Sequence, residues 1–281
     1  MANPAVIMTI AGSDSGGGAG IQADLKTMTL LGGFGISAIT ALTAQNGEEV
    51  RGIHAPDPEF MRTQLEALLD GFPIAAAKTG MLFSAPLMDV IADCLVGKTF
   101  PLVVDPVAVS QSGHKLLRDD AVSALIRRII PLADLLTPNA PEAEALTGKL
   151  LRTVEDVSLV ARDLMEKGAK AVLIKGGHFA PADMPGDDVM TDWLCLPGES
   201  PKALNHEKVN TVNNHGTGCT LSAAIATFIG QGHTLEDAVA LAQKFLVAGL
   251  AASYTPGIGC GPPNLPAGAA ALNRGGNPGL V

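Results

Sequence analysis

Short apolar segments and longer amphipathic segments alternate from one end of the chain to the other. The short segments are almost uniformly apolar, as expected of strands that are buried on both faces. Regular alternation of such strands with helices is typical of a parallel sheet with helices on both sides. The pattern therefore predicts an α/β protein. The predicted strands are Val6–Ile10, Ile36–Leu42, Ile74–Lys78, Leu102–Val104, Leu135–Thr137 and Ala171–Lys175.

Capping residues mark where several helices begin. Thr153 lies three residues before Asp156, which is the spacing of a capping box, and predicts a helix over residues 154–167. The same spacing at Thr234 predicts a helix that extends to about residue 253.

The C-terminal third departs from this alternation. Two strand-like runs, Asp188–Leu196 and Ala203–Val212, are separated by proline and glycine, so they predict a hairpin or edge strands. Residues 256–281 are rich in Gly, Pro and Ala and predict a surface loop followed by a flexible end. Because no repeat or linker-like composition divides residues 1–281, we expect one domain.

Composition narrows the classes of function. With 47% hydrophobic and 17% charged residues, the chain can bury a large core, and its four widely spaced cysteines form no zinc or disulfide pattern. The net charge of −9 is opposite to that of a broad nucleic-acid-binding surface. The sequence contains no membrane-spanning apolar run and no secretory signal. We expect a soluble, cytoplasmic protein that binds neither nucleic acid nor membrane.

The most informative local feature is His215-Gly216-Thr217-Gly218-Cys219, directly before a strongly helical segment. Glycines at a helix start leave its first N–H groups open to a ligand, and the helix dipole favours negative charge there. The sequence therefore predicts an anion-binding site. Because a thiolate is stabilised at such a position, we expect the pKa of Cys219 to lie below about 8.5, which suits a base or nucleophile. A tight turn with a buried cysteine is the alternative.

A second glycine-rich segment, residues 11–20, follows the first predicted strand and precedes a helical pattern. Its placement is typical of a nucleotide-binding loop. However, it satisfies neither the dinucleotide fingerprint nor the phosphate-loop motif, so by itself it identifies no ligand.

Seven co-linear segments, spread over about residues 5–255, together resemble the hydroxymethylpyrimidine/phosphomethylpyrimidine kinases of thiamine biosynthesis, a branch of the ribokinase-like superfamily. The resemblance implies a three-layer ribokinase-like fold, with a central, mostly parallel sheet flanked by helices on both faces. It also implies that ATP binds at the carboxyl edge of the sheet, beside a pyrimidine alcohol. The segments are AGSDSGGGAGIQADLKT (11–27), ALTAQN (41–46), KTGM (78–81), VVDPV (103–107), TPNAPEAE (137–144), KGGH (175–178) and HGTGCT (215–220).

The resemblance assigns the pyrimidine to Gly12, Asp24, Gln45, Met81 and Val107. The Gln45 amide offers a donor and an acceptor side by side, which suits the amino group and adjacent ring nitrogen of a 4-aminopyrimidine. Purely structural roles remain the alternatives for three of these residues. Gln45 would be a turn residue, Asp24 would stabilise the first turns of its helix by its charge, and Met81 would fill the core.

The resemblance implies that ATP and magnesium bind at polar residues near the ends of the strands predicted after residue 100. Lys175 would contact the ATP phosphates as a point charge, and Asn139 and Thr217 match positions near them. Asp105 and Glu142 would hold Mg²⁺, largely through water and together with ATP oxygens. Alternatively, Glu142 serves only as a charge at a helix N-terminus.

The resemblance also implies roles in catalysis. The amides of Gly216, Thr217, Gly218 and Cys219 would stabilise charge on the transferring phosphoryl group. Cys219 would accept the proton of the substrate hydroxyl. We expect this base to matter only for the first of two phosphorylations, because a phosphate monoester is already mostly ionised at pH 7.

Two residues depart from the family pattern. Ala108 and Gln111 stand where Met and often Lys are expected, which alters an apolar wall and removes a positive charge.

The sequence thus predicts an ATP-dependent kinase that converts 4-amino-5-hydroxymethyl-2-methylpyrimidine to its monophosphate and then to the diphosphate. The resemblance further suggests a homodimer. A pyridoxal or pyridoxine kinase is the nearest alternative, and Gln45 favours the aminopyrimidine over it. A non-catalytic vitamer-binding protein on the same fold is a second alternative, and Asp105, Glu142, Lys175 and Cys219 argue against it. An acyl-transfer enzyme that uses Cys219 is a third, but the sequence spacing identifies no suitable His-Asp pair for it.

Overall fold

The computed structural model describes residues 3–107, 119–178 and 188–273. Within these residues nine strands form a sheet. The strands are β1 (Val6–Asp14), β2 (Phe34–Gln45), β3 (Val50–His54), β4 (Ile74–Thr79), β5 (Leu102–Val104), β6 (Leu135–Leu136), β7 (Val172–Ile174), β8 (Val189–Cys195) and β9 (Lys202–Glu207).

The strands lie in the order β3-β2-β1-β4-β5-β6-β7-β8-β9. The six strands from β2 to β7 in that order are parallel, and β3, β8 and β9 pair antiparallel with their neighbours. All six predicted parallel strands are confirmed, and the predicted hairpin is β8 with β9. The edge strand β3 was not predicted, because Arg51, Gly52 and His54 interrupt its apolar pattern and leave it mostly exposed.

Helices cover both faces of the sheet, as expected for the three-layer arrangement. None of the helices in the described ranges is long and apolar enough to cross a membrane. The helices are α1 (Gly20–Leu30), α2 (Pro58–Gly71), α3 (Ala85–Leu95), α4 (Asp119–Ala124), α5 (Ala140–Thr147), α6 (Val154–Glu166), α7 (Thr217–Gly230), α8 (Leu235–Ala251) and α9 (Leu265–Asn273).

The core consists of two apolar layers, one on each side of the sheet. Leu102 and Val104 of β5 belong to the layer covered by α2 to α6, whereas Val103 belongs to the layer covered by α1, α7, α8 and α9. Since successive strand residues point to opposite faces, a strand between two such layers must be apolar throughout. This explains the uniform apolar runs in the sequence.

Both predicted helix starts are confirmed. Thr153 and Asp156 form a reciprocal capping box at α6, and the hydroxyl of Thr234 accepts a hydrogen bond from the backbone N–H of Asp237 at α8. These caps satisfy N–H groups that the helix itself cannot pair.

The loop predicted for residues 256–281 is wrong over Leu265–Asn273, which form α9. This helix packs on α8 through its small residues: a Cβ atom at Gly268 would lie 2.5 Å from the backbone oxygen of Phe245. The Gly- and Ala-rich composition that suggested a loop instead permits close approach of two helices. The remaining predicted tail, 274–281, lies outside the described residues.

The order of the strands determines where a ligand can bind. The chain passes from β1 to β2 on one side and later enters β4 on the other side of β1. In an open parallel sheet, such a reversal leaves a crevice at the carboxyl ends of the strands. The loops after β1, β4, β5 and β7 meet at this crevice, together with the N-terminus of α7.

We expect Gly268→Ala to lower the free energy of unfolding by about 1–3 kcal/mol, because the added methyl group would push α9 away from Phe245. Urea denaturation measures this change. Gly71→Ala is the matched control, since a Cβ at this helical position meets no atom within 4 Å. Equal stability of the two variants would contradict the close packing of α9 on α8.

Candidate active site

A cavity of about 640 Å³ occupies the crevice at the carboxyl ends of the strands. It runs from Gln45 at the end of β2, past the start of α7, to residues of β8, β9 and α8. Ala108 and Gln111 lie outside the described residues. Among the residues that are described, every predicted site residue except Asp24 lines the cavity. These are Gly12, Gln45, Met81, Asp105, Val107, Asn139, Glu142, Lys175, Gly216, Thr217, Gly218 and Cys219.

The first turn of α7 forms part of the cavity wall. Gly216 precedes the helix with φ of +77°, a left-handed conformation that favours glycine, and its Cα lies against the backbone of Gly18. Within the described residues, the N–H groups of Gly218 and Cys219 have no hydrogen-bond partner. We call the amides of residues 216–219 the amide cradle. Unpaired N–H groups at a helix N-terminus are suited to an anionic group.

The expectation of a lowered thiol pKa at Cys219 is wrong. Burial raises the pKa of Cys219 to about 11, and repulsion from Asp24 and Asp105 acts in the same direction. Attraction from Lys78 and a backbone hydrogen bond from Gly20 oppose this rise without cancelling it. The local argument from the helix start neglected the loss of water around the sulfur and the two nearby carboxylates. At neutral pH the Cys219 side chain is therefore a thiol.

Asp24 lies behind the cavity wall rather than in it. Its carboxylate is completely buried, lies 3.1 Å from Nζ of Lys78 and accepts a 2.6 Å hydrogen bond from the hydroxyl of Thr9. Burial lowers the pKa of Lys78, but attraction from Asp24 and from Asp105 outweighs it, so that the pKa is raised and Lys78 is charged. Sequence reasoning missed Lys78, although it opens the KTGM segment.

The end of β2 and the loop after β1 hold the predicted pyrimidine contacts. The backbone N–H and C=O of Gln45 both bond to the hydroxyl of Ser15, and its side-chain oxygen accepts a 3.1 Å hydrogen bond from Thr43. Among the described residues, no group accepts a hydrogen bond from the side-chain nitrogen of Gln45. On the opposite side, Gly12 lies directly against the end of the Met81 side chain, so a larger residue there would displace Met81.

Charged groups converge after β5, β6 and β7. Nζ of Lys175 lies 3.0 Å from Asp105 and 3.8 Å from Glu142. Burial disfavours the charge on Lys175, but attraction from the two carboxylates prevails and raises its pKa, so it is a cation at neutral pH. Asn139 caps α5, and its hydrogen bonds with Glu142 form a capping box. Glu142 thus has the expected helix-supporting role and also faces Lys175.

This arrangement fits a magnesium ion that arrives with a nucleotide. The described residues contain no group of three or more His, Cys, Asp or Glu side chains that could hold a metal on their own. Asp105 and Glu142 nevertheless lie on either side of Lys175. Magnesium commonly binds through one or two carboxylates, several waters and phosphate oxygens, which such a pair permits.

Two further carboxylates, which sequence reasoning missed, organise the site. Asp14 accepts hydrogen bonds from three backbone N–H groups of the glycine-rich loop and from His215. Asp192 of β8 accepts from the N–H of Gly176, the residue after Lys175, and from Gln243 of α8. Asp14 could have been suspected from its position inside the glycine-rich segment 11–20, although its partner His215 is distant in sequence. Asp192 has no such signal, because both of its partners, Gly176 and Gln243, are distant in sequence.

Comparisons with known proteins agree with this geometry. Residues 14–264 match the family model described as phosphomethylpyrimidine kinase. The hydroxymethylpyrimidine/phosphomethylpyrimidine kinase of Haemophilus influenzae is 45% identical over 267 residues, which are 94% of this chain and 97% of that protein.

Solved structures show the same fold. An ADP complex of Bacillus subtilis pyridoxal kinase has a TM-score of 0.83 and 32% identity, over 96% of this chain and 99% of that one. Phosphomethylpyrimidine kinase from Clostridium difficile has a TM-score of 0.74 and 38% identity, over 86% of this chain and 98% of that one. The ribokinase-like fold expected from the sequence is therefore confirmed. By sequence and by structure, the chain belongs to the hydroxymethylpyrimidine/phosphomethylpyrimidine kinase family.

Proposed function

We propose that this chain transfers the γ-phosphoryl group of ATP to the hydroxymethyl oxygen of 4-amino-5-hydroxymethyl-2-methylpyrimidine, and then transfers a second phosphoryl group to the monophosphate. The observation that carries this proposal is the continuity of one cavity from Gln45, past the amide cradle, to Lys175. A pyrimidine-sized acceptor and the phosphates of ATP would therefore share one continuous cavity. The family supports the identity of the acceptor.

The pyrimidine ring would lie between Gln45 and Met81. The side-chain amide of Gln45 has a donor nitrogen without a protein partner and an oxygen held by Thr43, so it can pair with the ring nitrogen and amino group. Gly12 leaves room for Met81 to pack against the ring. This orientation would direct the hydroxymethyl group towards Cys219, which lines the same cavity.

Phosphoryl transfer would proceed beside the first turn of α7. The substrate oxygen forms a bond to the γ-phosphorus while the bond from that phosphorus to the β–γ bridging oxygen breaks, which releases ADP. The amides of residues 216–219 donate to the oxygens of the group in transfer, and Lys175 supplies a fixed positive charge. Asp105 and Glu142 would hold Mg²⁺, which supplies further positive charge to the β- and γ-phosphate oxygens.

Cys219 is the proposed acceptor of the hydroxyl proton in the first reaction. Because its pKa is about 11, only a small fraction is thiolate at neutral pH, and this fraction increases with pH. Lys78 favours the thiolate form from behind the wall. The second acceptor is a phosphate monoester with a second pKa near ~6, so it has little need of a base above pH 7.

Pyridoxal phosphorylation is a second candidate activity. It is favoured by the fold similarity to pyridoxal kinase from Bacillus subtilis, at a TM-score of 0.83. The phenolic oxygen and ring nitrogen of pyridoxal match the Gln45 amide less well than an aminopyrimidine does, so we place this activity second.

Three expectations stay predictions: one domain over residues 1–281, assembly as a homodimer, and a cytoplasmic location. Limited proteolysis of the purified protein tests the single domain, and light scattering tests the homodimer.

We expect ATP-dependent turnover of the pyrimidine alcohol and of its monophosphate, with weaker activity on pyridoxal. Gln45→Leu is expected to lower kcat/KM for the alcohol by about 10- to 100-fold, because the polar edge of the ring would lose its partner. Pyridoxal turnover should change far less and serves as the internal control. Tight binding of the pyrimidine without any ATP turnover would instead support a non-catalytic protein.

We expect kcat/KM for the alcohol to rise between pH 7 and pH 10, because the thiolate fraction of Cys219 increases roughly tenfold for each pH unit below its pKa. The monophosphate should show no such rise. Cys219→Ala should abolish the slope, whereas Cys260→Ala, at an exposed thiol outside the cavity lining, should retain it. If Cys219→Ala lowered both activities by the same factor, the proposed base would be wrong.

We expect Lys175→Gln to lower kcat/KM for ATP by about 100-fold or more, because a fixed charge beside the phosphates is lost. Lys170→Gln is the matched control: this exposed lysine lies before the same strand and pairs with Asp134. Steady-state kinetics with varied ATP and a thermal unfolding curve for each variant separate lost catalysis from lost folding. If both substitutions changed kcat/KM for ATP by similar, small factors, the proposed contact between Lys175 and ATP would be contradicted.

A further inference from the structure

We propose that Asp14 and His215 form a positioning pair that holds the amide cradle in the geometry required for phosphoryl transfer. Both residues border the cavity, and in this role they act through the backbone of two glycine-rich segments. The inference rests on the proposed phosphoryl transfer at the start of α7. It assigns a role to two residues that the proposed mechanism does not otherwise use.

Asp14 organises the loop that follows β1. One carboxylate oxygen accepts from the N–H of Gly16 at 2.8 Å, and the other accepts from the N–H groups of Gly18 and Ala19 at 3.0 and 2.9 Å. The side chain is almost completely buried, with a relative exposure of 4%. Three amides that have no other means of pairing in this tight loop are therefore satisfied by one carboxylate.

His215 connects this loop to α7 across 201 residues of sequence. Its Nε2 lies 2.8 Å from Oδ2 of Asp14, and its ring packs against the Cα of Gly18. Its own backbone N–H donates to the carbonyl of Gly261 at 3.1 Å. His215 is therefore fixed both by its side chain and by its backbone, and it immediately precedes Gly216, the first residue of the amide cradle.

The two glycine-rich segments then behave as one unit. The backbone of Gly216 lies against Gly18, with no room for a side chain at either position. A backbone hydrogen bond from Gly20 also reaches Cys219. Any displacement of the loop after β1 would consequently move the amides and the thiol. Donors that are already in place stabilise a transition state without a cost of reorganisation, so this rigidity has a catalytic consequence.

The charge on Asp14 is necessary for this arrangement. Burial alone would raise the pKa of Asp14, but hydrogen bonds from His215, Ala19 and Gly16 lower it below its ordinary value, so the carboxylate is ionised. An ionised carboxylate only accepts hydrogen bonds, which places the shared proton on Nε2 of His215. An Asn side chain has one acceptor oxygen in place of two and would leave at least one donor unpaired.

The test compares binding of ADP alone with binding of ADP plus aluminium fluoride, a planar mimic of the phosphoryl group in transfer. Both are measured by calorimetry without acceptor, on the full chain with magnesium. We expect Asp14→Asn and His215→Leu to weaken the mimic complex by about 30-fold or more and ADP alone by less than about threefold. His215→Gln keeps a nitrogen donor and should retain more of the mimic affinity than His215→Leu.

Kinetics provide a second measurement. The two disruptive variants should lower kcat by about 100-fold while KM for ATP changes by less than about threefold. Asp57→Asn is the control, since Asp57 caps α2 by accepting a 2.7 Å hydrogen bond from Phe60 and does not line the cavity. It should leave kcat and both affinities unchanged.

Three results would overturn the inference. Equal weakening of ADP and of the mimic complex would show a merely structural role for the pair. If both variants kept the affinities and the kcat of the unaltered protein, the pair would have no role in the reaction. If aluminium fluoride did not increase the affinity of the unaltered protein for ADP, the amide cradle itself would be contradicted. Because the mimic experiment contains no acceptor, an error in the proposed acceptor would appear separately, as intact mimic binding without turnover of the pyrimidine.

Discussion

The close backbone contact between the loop after β1 and the start of α7 is the constraint on which the site depends. Gly216 lies so close to the backbone of Gly18 that it cannot carry a side chain, and a side chain at Gly18 would meet the ring of His215. This contact brings the first strand of the sheet against a helix that begins some two hundred residues later in the chain. The cavity between Gln45 and Lys175 exists because the two segments meet there without filling the crevice. The glycines in these segments thus serve packing between backbones as well as ligand access.

Buried charges surround the reacting centre as matched groups. Lys78 faces Asp24 behind the wall, and Lys175 faces Asp105 and Glu142 at the cavity surface. Removing one member of such a group leaves an uncompensated buried charge, which costs several kcal/mol. The two lysines therefore remain charged at neutral pH, although burial opposes it. The two lysines thus place fixed positive charges beside the proposed phosphate site, although the three carboxylates outnumber them, within a chain of net charge −9.

The sequence predicts the parts of this molecule that depend on local patterns. Uniform apolar runs identify the parallel strands because both faces of the sheet are covered, and the capping residues of α6 and α8 act within one helical turn. The residues of the cavity were identified through the resemblance of seven short segments, mostly at strand ends, to a known kinase family. What was missed depends on contacts between distant segments: the burial of Asp24 against Lys78 and the packing of α9 on α8 have no local signature.

The pKa of Cys219 likewise depends on groups that are distant in the sequence, so local sequence did not predict its direction. A thiol at a helix start is stabilised as a thiolate by nearby amides, and this is what the sequence can show. Its actual environment includes lost hydration and two carboxylates contributed by α1 and by the loop after β5, and these dominate. An electrostatic property is a sum over everything that surrounds the group, so the fold must be known before its sign can be assigned.

Two successive reactions at one site place opposing demands on the protein. The first proposed acceptor is a neutral alcohol that must lose a proton, whereas the second already carries a phosphate and adds negative charge to the cavity. In the proposed mechanism the amide cradle would serve both reactions, because its N–H groups would donate to phosphoryl oxygens whichever acceptor is bound. A permanently ionised base beside it would repel the second acceptor, whereas Cys219 with a pKa of about 11 is mostly neutral. With Cys219 as the proposed base, the raised pKa would limit the rate of the first step and would avoid charge repulsion in the second, a compromise that an aspartate at this position would not provide.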